Sequence, residues 1–278
     1  MTNTWMGPDS SKLLEAYDRH NKGVLGQLRQ RLLTRGLSLH MPTTPQRVVD
    51  VGGGEGYQAI NLARQGHDVV LLDPDPKMLA AAEQRLQAEA ESVRSRVELV
   101  LGFGEQGVDL LGEGRFDLVC CHGILMYVDD PVALLNSVVA LARPAGLLSV
   151  LGLNREASAM RPGLAGRWTD AIGALATGLD AGGNNLDNRP DKRSDVELLL
   201  TAADAAVLDW YGIRVFSDNL GDTPPGLDFE ELAELEWLVG AQDPYRSIAR
   251  LFHIVARRGS VVGGQHAKVP WTGCAAQG

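Results

Sequence analysis

Short apolar runs alternate with helical patterns from residue 47 onward. Five runs rich in Val and Leu predict buried strands of a parallel sheet. They are residues 47–51, 68–72, 97–101, 116–121 and 147–153. Helical periodicity fills three of the intervals, at residues 57–65, 76–92 and 131–142. The alternation predicts βαβ units, with helices covering both faces of the sheet.

The pattern changes after residue 154. Residues 155–194 are rich in Gly, Asn and Arg, with weak helical periodicity around 168–179, and we interpret them as an inserted lid. Regular patterns then return and predict two helices and two strands. These are a helix at 195–203, a strand at 206–216, a helix at 229–238 and a strand at 247–257. The predicted fold class is therefore α/β, a Rossmann-like sheet of seven mostly parallel strands with a lid after strand five.

Composition narrows the class of protein. The chain has 278 residues and a formal net charge of −9, and no apolar run approaches the roughly 18–20 residues of a membrane span. Three cysteines, two of them adjacent at Cys120 and Cys121, support neither a disulfide framework nor a zinc site. The start of the sequence lacks the layout of a signal peptide, so we expect a cytoplasmic protein.

The charge is unevenly distributed. Residues 21–49 carry five basic side chains and no acidic one, whereas residues 217–243 carry eight acidic side chains and no Lys or Arg. The first segment is able to lie near an anion and the second would repel one, although both also fit ordinary solvated faces.

A glycine loop follows the first predicted strand. Its sequence, Gly52-Gly53-Gly54-Glu55-Gly56, places glycine at alternate positions directly before a helix. Glycine removes side-chain bulk, so that a ligand can lie against the backbone at this edge of the sheet. The dinucleotide fingerprint needs a glycine where Tyr57 stands, and no lysine follows at P-loop spacing.

Two acidic residues accompany the loop. Asp73 ends the second predicted strand, 21 residues after Gly52, where a carboxylate can accept both hydroxyls of a ribose. Capping of the helix that starts near Pro76 is the structural alternative for Asp73. Asp50 precedes the loop and is able to face a ligand cation or to bind loop amides. Together these features predict a ligand of the adenosine type.

These motifs resemble those of the class I S-adenosylmethionine-dependent methyltransferases, as does the Arg143-Pro144-Ala145-Gly146 turn before strand five. More narrowly, residues 18–258 resemble the bacterial tRNA 5-carboxymethoxyuridine methyltransferases, which esterify a carboxylate on a wobble uridine. The matching pieces include residues 26–30, 52–56 and 212–216, together with 243–245. The resemblance implies S-adenosylmethionine as cofactor and an antiparallel last strand.

The resemblance also implies roles for individual residues. Arg29 would bind the methionine carboxylate of the cofactor, and Glu105 and Gln106 would contact its adenine. His122 follows strand four and would lie at the methyl-transfer site, near both cofactor and acceptor. Tyr127 occupies the position of a tryptophan in the family, where an aromatic ring can stack on a base.

The sequence patterns divide the chain into five predicted segments. They are a helical cap (1–46), a cofactor-binding core (47–154), the lid (155–194), the C-terminal part of the sheet (195–258) and a disordered tail (259–278).

The acceptor decides what else the chemistry needs. A carboxylate is already ionised at pH 7 and needs only a cation to hold it, for which Arg214 and Arg155 are candidates. A hydroxyl needs a general base, for which His122 and His253 are candidates. No cluster of His, Asp or Glu implies a metal.

Three functions remain open at this stage. The first is methylation of a tRNA carboxylate or hydroxyl oxygen, the second is O-methylation of a small metabolite, and the third is cofactor binding without catalysis. The family's run of lysines after strand five is absent, and residues 155–195 carry six basic and six acidic side chains. That neutral lid and the acidic segment favour a small metabolite, whereas the family matches favour tRNA.

Overall fold

A computed structural model describes residues 10–128, 130–179 and 189–260. Nearly all of the tail predicted to be disordered, from residue 261, and residues 180–188 of the lid lie outside the described residues. Within them the chain forms one sheet of seven strands. The strands are β1 (Arg47–Val51), β2 (Asp68–Asp73), β3 (Val97–Leu101), β4 (Phe116–His122), β5 (Ala142–Leu153), β6 (Ala205–Ile213) and β7 (Leu251–Arg258).

The strand order is β3-β2-β1-β4-β5-β7-β6. Strands β1 to β5 pair in parallel, and β7 runs antiparallel to both β5 and β6. The Rossmann-like prediction, with its antiparallel last strand, is confirmed. All of the strands except β7 therefore point their carboxyl ends at the same edge of the sheet, where the glycine loop begins.

Helices lie on both faces of the sheet. Those before and around the first strands are α1 (Ser10–Lys22), α2 (Val24–Ser38), α3 (Tyr57–Arg64), α4 (Pro76–Gln87), α5 (Glu91–Arg94), α6 (Gly107–Leu111) and α7 (Pro131–Leu141). Those of the second half are α8 (Met160–Leu164), α9 (Trp168–Thr177), α10 (Arg193–Ala202) and α11 (Phe229–Gly240). One buried cluster contains side chains of α7 and α10, and another contains side chains of α2, α3 and α4.

Apolar packing fixes helix α2 at the carboxyl edge of the sheet. Its Leu28, Leu32 and Leu33 are buried against Leu153 of β5 and Ile213 of β6. Burial of aliphatic side chains of this size contributes about 1.5–3 kcal/mol each. These apolar contacts therefore hold α2, and with it Arg29, over the carboxyl edge of the sheet.

The two ends of the lid are joined by backbone hydrogen bonds next to the end of β5. Arg155 N donates to Asp191 O at 3.0 Å, and Asp191 N donates to Leu153 O at 3.0 Å. Helices α8 and α9 lie between these two ends, so the insertion after strand five is confirmed for the residues described.

Four predicted boundaries were wrong by three or more residues. The helix expected over 76–92 ends at Gln87, because the chain turns and brings Val93 of α5 into the core cluster beneath α3. The last strand begins at Leu251 rather than 247, because Arg246 stacks 4.1 Å from the Trp210 ring and holds residues 245–248 in a 3-10 turn. Strand β5 begins at Ala142 rather than 147, because residues ahead of the predicted run already pair with β4. Strand β6 ends at Ile213 rather than 216, because Arg214 adopts a φ of 66°.

Candidate active site

In the glycine loop, most of the backbone carries no side chain. Gly52, Gly54 and Gly56 have φ angles of 68°, 55° and 79°, which side chains rarely adopt. A Cβ built on Gly52 would lie 2.4 Å from the side chain of Ile124, so this position admits no side chain. A Cβ on Gly54 meets nothing closer than Met78 Sδ at 4.0 Å. The space over Gly54 is therefore open to a ligand.

Asp73 is tied to the loop rather than to the following helix. Its Oδ2 accepts a hydrogen bond from Gly54 N at 2.9 Å, and its Oδ1 accepts from Asp75 N at 2.9 Å. Burial raises the pKa of Asp73 to about 6, against the lowering effect of these two N–H groups. The helix cap is Asp75, which accepts from Lys77 N at 2.8 Å, so the capping alternative for Asp73 was wrong.

Arg29 and Asp50 offer opposite charges to the same space. Among the described residues, neither Arg29 Nε nor Asp50 Oδ2 has a hydrogen-bond partner, although both atoms are buried. Burial, together with the neighbouring charge of Asp73, raises the pKa of Asp50 to about 7. A zwitterionic amino acid supplies the partners that both groups lack, so the pair fits the methionine end of the expected cofactor.

One cavity of about 810 Å³ gathers most of the predicted site residues. Those that line it are Arg29, Asp50, Gly52, Gly53, Gly54, Asp73, Glu105, Gln106, His122 and Tyr127. Glu105 and Gln106 lie on a 3-10 turn after β3 and have exposed side chains. The volume lies in the usual range for a site that takes a cofactor-sized ligand.

Helix α1 closes one side of the cavity. Tyr17 of α1 shares a short hydrogen bond between hydroxyl groups with Tyr127, which lies on the turn after β4. The next residue, Asp18, accepts from Tyr57 Oη at 2.9 Å and pairs with Arg85 of α4. These contacts hold α1 against the residues that follow the glycine loop.

His122 is the first member of a buried polar chain. Its Nε2 lies 2.7 Å from Ser149 Oγ, which in turn lies 2.8 Å from Nε2 of His253. Burial lowers the pKa of His122 well below its usual value, and His253 and Arg29 lower it further. Burial also lowers the pKa of His253 to about 3. Both rings are therefore neutral at pH 7.

Arg214 is buried but does not line the cavity. It forms an ion pair with Asp218, which also lies 4.0 Å from Arg161 Nε and 3.9 Å from Arg250 Nε. We call Arg161, Arg214, Asp218 and Arg250 the arginine cluster. Arg214 directly follows Ile213, which belongs to the same buried cluster as Leu33, and Leu33 lines the cavity, so the arginine cluster lies near the cavity wall. Burial lowers the pKa of Arg29, and the positive charge of Arg214 lowers it further.

The loop that carries Arg214 is held by a buried carboxylate. Glu236 of α11 accepts from the backbone N–H groups of Val215, Phe216 and Ser217 at 2.7, 2.9 and 2.8 Å. Three charge-assisted hydrogen bonds keep this loop rigid, and the loop in turn holds Arg214 in its left-handed conformation. The other arginine candidate, Arg155, donates to Thr177 O within the lid and does not line the cavity.

Sequence reasoning missed Tyr17, Ser149 and Asp218. Ser149 carried a signal, because it is the only polar side chain in the apolar run at residues 147–153. Tyr17 and Asn21 lie four residues apart on α1 and both line the cavity, but a helical spacing of this kind is common. Asp218 carried little local signal, because two of its three arginine partners, Arg161 and Arg250, come from distant segments.

Two absences hold for the part of the chain that the structure describes. No group of three or more His, Cys, Asp or Glu side chains is arranged to hold a metal ion. No helix combines the length and the apolar character that a membrane crossing requires.

Comparison with known proteins agrees with this geometry. A family model described as a methyltransferase domain matches residues 49–148. The chain is 32% identical over 251 residues to the tRNA 5-carboxymethoxyuridine methyltransferase of Escherichia coli (strain K12), covering 88% of this chain and 94% of that enzyme. It is 32% identical over 125 residues to the ubiquinone biosynthesis O-methyltransferase of Xylella fastidiosa (strain 9a5c), covering 44% of this chain and 48% of that enzyme.

Solved structures share the fold. The magnesium protoporphyrin IX methyltransferase of Synechocystis PCC 6803, solved with S-adenosylhomocysteine (SAH) bound, superimposes with a TM-score of 0.58 at 15% identity. The match covers 90% of this chain and 95% of that one. At this level of identity the likeness concerns the fold alone.

Proposed function

This chain belongs to the S-adenosylmethionine-dependent methyltransferases, and on that basis we propose that it methylates a carboxylate oxygen, that of a wobble 5-carboxymethoxyuridine in tRNA. The cofactor follows from the family, whereas the acceptor and the roles of individual residues are our proposal.

The arginine cluster carries this proposal. Three guanidinium groups surround the carboxylate of Asp218, so the cluster retains positive charge next to the cavity. Arg214 Nε is buried without a hydrogen-bond partner among the described residues. Guanidinium groups bind carboxylates with two parallel hydrogen bonds and keep their charge when buried. An anionic acceptor would be bound here through Arg214.

The state of His122 supports the same kind of acceptor. A hydroxyl acceptor needs a base whose pKa lies near 7, but burial holds the pKa of His122 well below its usual value. His253 lies behind Ser149, does not line the cavity and has a pKa of about 3. A carboxylate needs no base, so it suits a site whose histidines are weak bases.

The extent of similarity favours tRNA as the source of the carboxylate. The likeness to the E. coli tRNA enzyme spans 94% of that enzyme, whereas the likeness to the ubiquinone enzyme spans 48% of it. The acidic segment is also less repulsive than its composition implies. Arg31 and Arg35 of α2 pair with Glu230 and Glu234 of α11 at 2.6 and 2.5 Å, so the basic and acidic segments face each other.

The proposed reaction is a single displacement. The cofactor supplies an electrophilic methyl group on its sulfonium sulfur. An acceptor carboxylate oxygen would take this methyl group, the electrons of the carbon–sulfur bond would remain on sulfur as SAH leaves, and no proton would be transferred. The protein contributes position and exclusion of water. In this scheme Arg29, Asp50 and Asp73 hold the cofactor, Arg214 holds the acceptor, and Tyr17 and Tyr127 close the cavity.

Methylation of a small metabolite is the second candidate. The observation that favours it is the lid, which lacks a run of lysines for tRNA phosphates. The same arginine cluster would then hold the carboxylate of a free metabolite.

The test uses purified protein and methyl-labelled S-adenosylmethionine. One acceptor pool is total bacterial tRNA, treated first with mild alkali to hydrolyse existing esters, and the other is a metabolite extract free of protein and RNA. We expect label in tRNA that a second alkali treatment releases. The matched control is the Asp73→Ala variant, which should label poorly at low cofactor concentration and recover at high concentration.

Other outcomes would contradict the proposal in different ways. Label confined to the metabolite pool would establish the second candidate. Label in tRNA that resists alkali would mean that the acceptor is a hydroxyl, a ring atom or another group that forms no ester. Label in neither pool would reject both candidate acceptors.

A further inference from the structure

The polar chain behind His122 crosses three neighbouring strands. His122 ends β4, Ser149 lies in the middle of β5, and His253 lies on β7, with Leu151 of β5 in register with both histidines. Ser149 and His253 are completely buried, and His122 lines the cavity. The chain therefore connects the methyl-transfer site to the interior of the sheet.

The serine hydroxyl has one proton to share between two ring nitrogens. Ser149 Oγ contacts only the two Nε2 atoms among the described residues, so its buried proton must be donated to one ring, and the other ring must then donate to the oxygen. Both rings are neutral, so each carries one proton. Only two arrangements are possible, and they place opposite tautomers at the cavity.

The surroundings of the two Nδ1 atoms distinguish the arrangements. His253 Nδ1 packs against α2, where a Cβ on Gly36 would lie 3.2 Å away, and it has no hydrogen-bond partner in the described part of the chain. An enclosed N–H without a partner costs more than an enclosed lone pair. His122 Nδ1 is likewise buried without a partner among the described residues, but it belongs to a ring that lines the cavity, where a bound ligand can supply one. The proton is therefore favoured on His122 Nδ1 and disfavoured on His253 Nδ1.

We propose that His253 and Ser149 fix His122 as the neutral tautomer protonated on Nδ1, which donates a hydrogen bond to the acceptor carboxylate. In this arrangement His253 Nε2–H donates to Ser149 Oγ, and the Ser149 hydroxyl donates to His122 Nε2. Ser149 and His253 are thus positioning residues that act through His122. The role toward a carboxylate rests on the proposed function, whereas the tautomer does not.

The tautomer is measured without any activity assay. Long-range proton–nitrogen NMR spectra of protein labelled with ¹⁵N-histidine separate protonated from bare ring nitrogens, and His122→Gln and His253→Gln variants assign the two rings. We expect His122 to be protonated on Nδ1 and His253 on Nε2. The reverse pattern would overturn the proposal and make His122 Nδ1 a bare lone pair, as a general base requires. Because the two rings must carry opposite tautomers, the assignment of either ring decides this point, so one variant that fails to fold does not affect it.

Substitutions then test the role in catalysis. Ser149→Ala should lower kcat for the carboxylate acceptor about tenfold, the size of one neutral hydrogen bond, while SAH affinity measured by calorimetry changes less than about twofold. The matched control is Ser137→Ala, since Ser137 Oγ is buried on α7 without a hydrogen-bond partner in the described residues. His253→Gln keeps an N–H donor and should retain most of kcat, whereas His253→Leu should behave like Ser149→Ala.

Two results would separate this proposal from the proposed function. Unchanged kcat in Ser149→Ala, with carboxylate methylation intact in the wild type, would reject the positioning role alone. The expected tautomer in a protein that labels no carboxylate would reject the proposed acceptor and leave the assigned tautomer in place.

Discussion

The two halves of the carboxyl edge of the sheet are built in different ways. On the cofactor side, at the ends of β1 to β3, backbone from residues 52–54 and the carboxylates of Asp50 and Asp73 line the cavity. On the acceptor side, at the ends of β4 to β7, side chains from distant segments meet, as with Ser149 and His253, 104 residues apart. A local motif therefore specifies the first half, and only the folded chain specifies the second.

The two halves also differ in charge. Buried carboxylates dominate the cofactor side, where burial raises the pKa of Asp50 to about 7 and of Asp73 to about 6. Buried guanidinium groups dominate the acceptor side, where burial lowers the pKa of Arg214. The difference matches the proposed partners, because the cofactor carries positive charge on its amino group and sulfur and the acceptor carries negative charge.

Removing Arg214 should have the largest effect and should be confined to the acceptor side. Truncation of a buried charged partner typically costs 2–5 kcal/mol, so we expect Arg214→Met to lower kcat/KM for the carboxylate acceptor about 100- to 1000-fold. SAH affinity, measured by calorimetry, should be nearly unchanged. The matched control is Arg258→Met, because Arg258 is a largely buried arginine at the opposite edge of the sheet. A comparable loss of kcat/KM in Arg258→Met would contradict the assignment.

The pH dependence of the free energy of unfolding should reveal the raised pKa of Asp50 on the cofactor side. Because the pKa of Asp50 is higher in the folded protein than in an unfolded chain, its contribution to stability is present at low pH and is lost as the pH rises toward 7. We expect Asp50→Asn to remove about 2–3 kcal/mol of the fall in the free energy of unfolding between about pH 5 and 7.5. Urea unfolding of the ligand-free wild type and of the Asp50→Asn variant at both pH values measures this fall in the free energy of unfolding. An unaltered pH dependence in Asp50→Asn would mean that Asp50 is not desolvated as the structure indicates.

Asp73 and Asp75 separate ligand binding from helix capping. Asp73→Ala should weaken SAH binding by about 1–3 kcal/mol, because ligand hydroxyls and Gly54 N would lose their acceptor. Asp75→Ala should instead lower the free energy of unfolding by about 1 kcal/mol through loss of the α4 cap, with SAH affinity unchanged. Calorimetry and urea unfolding of both variants check this pair. Equal affinity in wild type and Asp73→Ala would mean that the ribose position is misplaced.

The sequence predicted which residues of the cofactor side share one cavity, because the determinants of that grouping are local. The glycine loop and the end of β2 lie within about 20 residues of each other, and a buried parallel strand leaves a continuous apolar run. The prediction from sequence failed where packing between distant segments determines the structure. The apolar run that includes Val215 and Phe216 reads as strand, yet Glu236 binds their N–H groups and the sheet ends at Ile213.

Long-range packing also limited how much of the acceptor site could be predicted from the sequence. Arg214 was a candidate for holding a carboxylate, but Arg161 and Arg250, which approach the same Asp218, come from the lid and from the residue before β7. Ser149 was visible as a polar residue in an apolar strand, and its two histidine partners were each noted separately. Only the pairing of β4, β5 and β7 shows that the three form one chain.

The tyrosine pair joins the two halves, and its removal should have the smallest effect. Tyr17→Phe removes one hydroxyl from the hydrogen bond that α1 shares with Tyr127, a contact worth about 0.5–1.5 kcal/mol. If this contact keeps α1 closed over the cavity, SAH dissociation should accelerate, by less than about tenfold, with little change in its association rate. Stopped-flow fluorescence of SAH release measures both rates. A slower association in Tyr17→Phe would mean that Tyr17 shapes the open entrance of the cavity instead of holding the closed state.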